Sequence, residues 1–173
     1  MFKRKPKVYF YRMGPVKAPS RGTQFSAGID FYIPSYSEEY VVHLEAQSGI
    51  RIDKEKKTIS IPPHGKILIP SNLKISFDWK KYCFEFGNKS GIALHKRLVV
   101  GAFLIDGDYD KELFFNINNI SSEWATVEFD SKIIQGKLHR AYYEDFEEVS
   151  QEYLLPNSKL KTRNGGFGST GVK

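Results

Sequence analysis

Four groups of residues in this chain have the types and spacing to do chemistry. The run Gly165-Gly166-Phe167-Gly168-Ser169-Thr170-Gly171, with Arg163 just before it, has the makings of a phosphate clamp. Consecutive glycines let backbone N–H groups approach phosphate oxygens, Ser169 and Thr170 add hydroxyl donors, and Arg163 adds a bidentate fork. Phe167 offers a face on which a base can stack. The run is not a P-loop, since no lysine directly follows the final glycine and no strand-to-helix context surrounds it. Composition alone would equally allow a flexible tail. A second group is Asp106-Gly107-Asp108-Tyr109, fed by the β-like run from Val100 to Ile105. Two acids two residues apart share a face if the strand continues, and such a pair can hold a hydroxyl and activate a water. Asp-Gly-Asp is also a common turn. The third group, Asn88-Lys89-Ser90-Gly91, joins an ammonium, a hydroxyl and a permissive backbone. In the fourth, Ser26-Ala27-Gly28-Ile29-Asp30, an acid sits inside an apolar strand, where it needs a partner.

The elements that must position these groups are short. Val8–Tyr11, Ile29–Ile33, Val41–Leu44, Thr58–Ile61, Lys66–Ile69, Leu73–Phe77, Tyr82–Phe86, Val99–Ile105, Leu113–Ile117, Ala125–Phe129 and Ile133–Tyr143 read as extended segments between Gly, Pro and Asn signals. Many short strands at such spacing predict an all-β sandwich or barrel. Helical periodicity is confined to single turns at Trp79–Tyr82 and Ser90–Leu94. The stretch from Pro156 to Lys173 cannot build a core and reads as a mobile arm.

Length and composition set the frame. With 173 residues the chain is long enough for one domain with a real core. Aromatics at 14 % favour pleated structure. The single cysteine, Cys83, cannot form an internal disulfide, sits in an apolar run and reads as a packing residue. No zinc-ligand spacing is present. The net charge of +6 suits attraction of a polyanion, for which a nucleoside triphosphate serves as well as a nucleic acid. There is no apolar run of membrane-spanning length and no signal core at the N-terminus, so a cytoplasmic protein without membrane attachment is expected.

Taken in order, the motifs resemble those of the trimeric dUTPase family, over about Tyr9 to Lys173. Ala27-Gly28-Ile29-Asp30-Phe31 looks like the first motif, Lys89-Ser90-Gly91 the second, Gly101 through Tyr109 the third, and Gly165 through Gly171 the glycine-rich fifth. For the fourth, Lys132-Ile133-Ile134-Gln135-Gly136 fits with lysine in place of arginine. A rival register from Gly136 puts Ala141 where the glutamine belongs, and the first register is preferred because it keeps Gln135. The chain departs from the family at Lys89 (usually arginine), at Phe103 (usually glycine), at Asp110-Lys111 (usually arginine-glycine), in the position of Arg163, and by extra length between Asp30 and Pro62.

The resemblance implies an all-β fold of the dUTPase type, a distorted barrel or jelly roll (β-clip) over residues 1–155. Residues 35–60 would be an inserted hairpin region, and 156–173 an arm closing a neighbouring subunit's site. It implies a homotrimer that hydrolyses dUTP to dUMP and pyrophosphate with Mg²⁺. Asp106 would bind the 3′-hydroxyl and orient the attacking water, and Tyr109 would exclude a 2′-hydroxyl. The hairpin that carries Gly101 and Phe103 would read uracil through its backbone. Lys89, Ser90, Gly91 and Gln135 would hold phosphates, while Arg163, Phe167, Gly168, Ser169 and Thr170 would close over base and γ-phosphate. Mg²⁺ would ride on the triphosphate, with Asp30 acting indirectly, through water or through Lys132 or Lys89. Other readings are a related deoxynucleotide triphosphatase or dCTP deaminase, a nucleotide-gated regulatory module that binds another protein, and a nucleic-acid module. For the last there is no recognition helix or base-stacking sheet motif.

Overall fold

The computed structural model describes residues 5–150 and Tyr153. The chain divides into two units, Met1–Tyr142 and Tyr143–Lys173. The second has no regular secondary structure among its described residues.

Among its described residues the first unit has twelve strands and two helices. Strands β1 (Val8–Arg12) and β6 (Leu73–Phe77) form a two-stranded ribbon. A three-stranded sheet has the order β5 (Lys66–Pro70), β10 (Phe114–Asn119), β8 (Leu98–Val100). A second has the order β11 (Ala125–Glu128), β4 (Thr58–Ile61), β3 (Arg51–Asp53). The fourth sheet carries most of the candidate site and runs β2 (Ile29–Tyr32), β12 (Lys132–Arg140), β7 (Tyr82–Asn88), β9 (Leu104–Ile105). All pairings are antiparallel. This is the expected all-β architecture, of jelly-roll type, with small sheets facing one another and no closed barrel among the described residues.

The period-2 alternation of the strands explains the arrangement. In β5, Ile67 and Ile69 point inward, as do Leu73, Ile75 and Phe77 in β6 and Phe115 and Ile117 in β10. Phe31, Phe84, Phe86 and Phe115 meet edge to face at the centre, with ring centroids 5.2–6.1 Å apart. Gly136 on β12 leaves room for that cluster, because a Cβ there would collide with the Phe84 ring.

One predicted element is wrong. Val41–Leu44 was expected as a strand and is part of helix α1 (Glu38–Glu45). The Ser37 hydroxyl accepts the Tyr40 N–H at 3.2 Å, an N-cap, and Glu38 and Glu39 fill the first turn. Tyr40, Val41 and Leu44 then fall on the buried side. Apolar residues at Val41, Val42 and Leu44 looked like a short β run because so short a segment fits either period. The cap decides it. The rest of the 35–60 region does contain a hairpin, β3–β4, whose first strand the sequence did not signal. The turn after Asn88 becomes a real helix, α2 (Ser90–Lys96).

Candidate active site

The strands of the fourth sheet gather the fourth-motif, first-motif and second-motif residues at one end. Asp30, on β2, is buried at 6 % exposure. Its Oδ1 accepts from Lys89 Nζ at 2.9 Å and its Oδ2 pairs with Lys132 Nζ at 2.8 Å. Burial alone would raise the Asp30 carboxyl, but hydrogen bonds and charge from Lys132 and Lys89 outweigh it and hold the group below its ordinary range. Asp30 in turn pushes Lys132 up. A carboxylate with an ammonium on each oxygen is a poor neighbour for Mg²⁺. Of the indirect routes expected for Asp30, the one through Lys89 and Lys132 is the one the geometry favours.

Gln135 stands opposite Asp30 on one side and Gly87 on the other. Its Nε2 donates to the Asn88 carbonyl at 2.7 Å. Gly28 packs against this amide so closely that a Cβ would strike Oε1. The register that keeps Gln135 is thus the one that puts an amide beside the Lys89 turn. Ala141 lies beyond the end of β12, where its N–H bonds the Lys81 carbonyl at 2.9 Å. Ser26, Gly28, Glu85, Gly87, Gln135 and Lys137 help line a cavity of about 450 Å³. Ser90 and Gly91 open α2, so their N–H groups have no intrahelical acceptor.

Asp106 is elsewhere. Phe84 pairs with Ile105, so Asp106 comes beside Cys83 at the start of β7, whereas Lys89, Ser90 and Gly91 follow its end. The six residue steps from Cys83 to Lys89 span on the order of 20 Å at about 3.3 Å per step. Asp106 and Asp108 are exposed and form no ion pair among the described residues. The Tyr109 N–H bonds the Asp106 carbonyl at 3.2 Å and its hydroxyl donates to the Glu112 carbonyl at 2.7 Å. Gly107 abuts Trp79, where a Cβ would meet the Trp79 Cβ at 2.5 Å. Tyr109, Asp108 and Gly107 line a groove of about 370 Å³ together with Tyr9 and Tyr11.

Between the two lies the segment Val99–Ile105, which is not the expected hairpin: β8 pairs with β10 and β9 with β7, so the segment runs one way along β7. The Gly101 N–H donates to the Asn116 carbonyl at 2.9 Å, and the Phe103 carbonyl accepts the Phe86 N–H at 2.8 Å. Phe103 projects its ring into solvent at 52 % exposure. Gly101 faces two amides: a Cβ would lie 2.6 Å from both Asn116 Oδ1 and Asn118 Nδ2. Neither asparagine was singled out in the sequence, nor was the Glu85–His139 pair at 2.9 Å on the adjoining sheet face. Only strand alternation around Ile117 could have flagged those amides as facing away from the core. Cys83 is half-buried rather than buried; that burial, with Glu85 and Asp106 nearby, pushes its thiol up and suits an inert group.

Arg163, Phe167, Gly168, Ser169 and Thr170 lie outside the described residues. Among the described residues no three His, Cys, Asp or Glu side chains cluster to hold a metal, and no helix is long and apolar enough to cross a membrane.

The chain matches no family model. It is 27 % identical over 165 residues to the deoxyuridine 5′-triphosphate nucleotidohydrolase of Candida albicans, covering 95 % of this chain and 87 % of that protein. It is 29 % identical to the Arabidopsis thaliana protein of the same name, with coverage of 89 % and 76 %. Among solved structures, Staphylococcus bacteriophage 80alpha dUTPase with dUPNHPP superposes at a TM-score of 0.70 with 17 % identity, over 96 % of this chain and 99 % of that one. A dUTPase from phage phi11 of S. aureus, described with a structural Mg(II) ion, gives 0.64 with 14 % identity over 84 % and 97 %. The chain is thus similar in sequence along nearly its whole length to proteins named deoxyuridine 5′-triphosphate nucleotidohydrolase, and it shares the fold of solved dUTPases.

Proposed function

We propose that the chain is a dUTP diphosphatase, which hydrolyses dUTP to dUMP and pyrophosphate at a site shared between subunits of a homotrimer. The observation that carries this reading is the division of the motifs in a chain matched over 95 % of its length to a dUTPase. The phosphate-holding group Asp30, Lys89, Ser90, Gly91, Lys132 and Gln135 sits at one end of β7. The group with the acid that activates water, Asp106 to Tyr109, sits at the other. One triphosphate cannot touch both ends across about 20 Å of strand. A symmetric assembly in which one chain's Asp106 end meets its neighbour's Lys89 end completes the site.

Hydrolysis at phosphorus needs positioning, charge neutralisation and an activated water. In this reading Lys89, with the N–H groups of Ser90 and Gly91, grips the phosphate chain, and Asp30 holds Lys89 and Lys132 in place. Asp106, exposed and unpaired, takes the proton from the attacking water. The electron pair of the water oxygen forms the new bond at the α-phosphorus, and the bond to the bridging oxygen breaks to release pyrophosphate. Tyr109, fixed through its hydroxyl to Glu112, packs against the sugar and leaves no space for a 2′-hydroxyl. Backbone groups of the segment around Gly101 and Phe103 read the uracil edge, since a wrong base would leave buried donors and acceptors unpaired. Residues 156–173 would supply Arg163, Phe167, Gly168, Ser169 and Thr170 to close the site.

Mg²⁺ would be carried on the triphosphate oxygens, with Asp30, each of whose oxygens already pairs with a lysine, acting on it only indirectly. When bound it supplies neutralisation of the phosphate charge. The compartment is read as cytoplasmic.

The test is steady-state hydrolysis with Mg²⁺ of dUTP, dCTP, dTTP and UTP, alongside an Asp106→Asn chain. The expected result is strong preference for dUTP, abolished in the variant. Absence of turnover on all four would overturn the reading, and preference for dCTP would move it to the related deaminase or triphosphatase class.

A further inference from the structure

Asn88 belongs to no part of the mechanism above, yet it ties two parts of the site together. It is the last residue of β7, in the four-stranded sheet. Its backbone carbonyl accepts the Gln135 Nε2–H at 2.7 Å. Its side-chain Oδ1 accepts the Val100 N–H at 2.7 Å, and Val100 ends β8, in a different sheet. One side chain thus cross-links two sheets where the chain passes from one to the other.

What lies on either side of Asn88 gives the link its meaning. The next residue, Lys89, has its Nζ on Asp30 and its carbonyl on the Ala93 N–H, so the turn into α2 hangs directly from Asn88. On the other side, Val100 precedes Gly101, whose N–H is held by the Asn116 carbonyl. Two consecutive N–H groups where the segment leaves β8 are therefore anchored, one to its own sheet through Asn116 and one to the phosphate turn through Asn88. A carbonyl oxygen on a short side chain is needed for the second anchor. An alanine would leave the Val100 N–H without that acceptor.

We propose that Asn88 is a positioning residue that locks the segment Val99–Ile105 to the turn Lys89–Gly91, so that the base-reading and phosphate-holding parts of one chain move together. The inference rests on the reading of those two parts given above. In the interfacial site of that reading, the Val99–Ile105 segment and the phosphate turn of one chain serve neighbouring sites, so Asn88 also links one site to the next.

Calorimetric binding of dUMP, dCMP and inorganic tripolyphosphate to the full chain separates the parts. The dUMP/dCMP affinity ratio reads the Val99–Ile105 segment, because both ligands carry the same phosphate. Tripolyphosphate reads the phosphate turn with no base present. For Asn88→Ala the ratio is expected to fall about tenfold and tripolyphosphate affinity several-fold. Asn88→Asp keeps the acceptor for Val100, so its ratio should stay within about threefold of wild type, while its added charge weakens tripolyphosphate. An Asn88→Ala chain that binds all three ligands as wild type does overturns the proposal, whatever its Tm. So does one in which only the ratio or only the tripolyphosphate affinity moves, since the two parts would then be independent. A wild-type chain that binds neither dUMP nor tripolyphosphate overturns instead the assignment of the site as a dUTPase site.

Discussion

The two ends of β7 are built in opposite ways. At the Asn88 end an acid at 6 % exposure is gripped by two lysines, a glutamine is bonded to the backbone, and a glycine is wedged against that glutamine. At the Cys83 end, Asp106 stands in solvent on a short turn, held through backbone contacts to Tyr109 and against Trp79. The first end is over-determined within one chain and already has the electrostatics to hold an anion. The second presents its acid outward, where only another molecule can enclose it. Rigidity in a site belongs where charge must be preorganised, and exposure belongs where a partner or substrate completes the wall.

The comparison can be broken most sharply at Asp106. Asp106→Asn should lower kcat for dUTP about a thousandfold, since the proton acceptor is lost. Its thermal stability should stay within about 0.5 kcal/mol of wild type, as for other exposed sites. A large fall in Tm would show that this end is structural after all. Mixing Asp106→Asn chains with Lys89→Ala chains, each nearly inactive, sharpens the test. Random assembly of a two-chain site restores about a quarter of wild-type activity, whereas a site within one chain restores none.

Gly136→Ala attacks the packing that carries both ends. The new methyl runs into the Phe84 and Phe31 rings in the aromatic centre. The expected cost is about 3 kcal/mol, at the upper end for overpacking, measured by urea unfolding. A near-neutral variant would mean that the ring cluster can shift.

Next comes Asp30→Ala. Removing the shared acid leaves two lysines facing each other, with a loss of about 2 kcal/mol. That is less than for a fully buried pair, because Lys89 and Lys132 keep 28 % and 39 % of their side-chain surface. The pH dependence has a definite sign. Asp30 has a lowered pKa when folded, so its contribution is fully present above the ordinary carboxylate range, near pH 4, and is lost as pH falls through the lowered value. Unfolding free energies between pH 6 and 2 should therefore fall more steeply for wild type than for Asp30→Asn. Parallel curves would remove Asp30 from the stabilising set.

The smallest effect is expected at Phe103. Its ring is half in solvent and its carbonyl, not its side chain, bonds Phe86. Phe103→Gly should change the dUTP/dCTP ratio of kcat/KM by about threefold or less, because base reading by backbone survives the change. A tenfold change would make the ring part of the base pocket.

Most of the strands were legible because their apolar residues alternate with period 2 and Gly, Pro and Asn bound them. Val41–Leu44 was not, since four residues do not separate a period of 2 from one of 3.6. The helix is fixed by Ser37 and by where the segment lies against the core. The motif residues were legible by type and order, Asp30, Lys89, Gln135 and Asp106 above all. Their grouping was not. That Asp30 binds both lysines, and that Asp106 stands a strand's length away from them, depends on which strands pair and in which register.

The sequence by itself determined the fold class, the family resemblance and the chemical types present, because periodicity and ordered motifs are local properties of the chain. The tertiary structure alone decided which charges neutralise each other, that Gln135 is tied to the Lys89 turn, and that Asn88 bridges two sheets. Those are contacts between residues 12 to 102 positions apart, such as Val100 with Asn88 and Lys132 with Asp30. Pairing across such separations is set by the packing of the whole core, which no local pattern encodes.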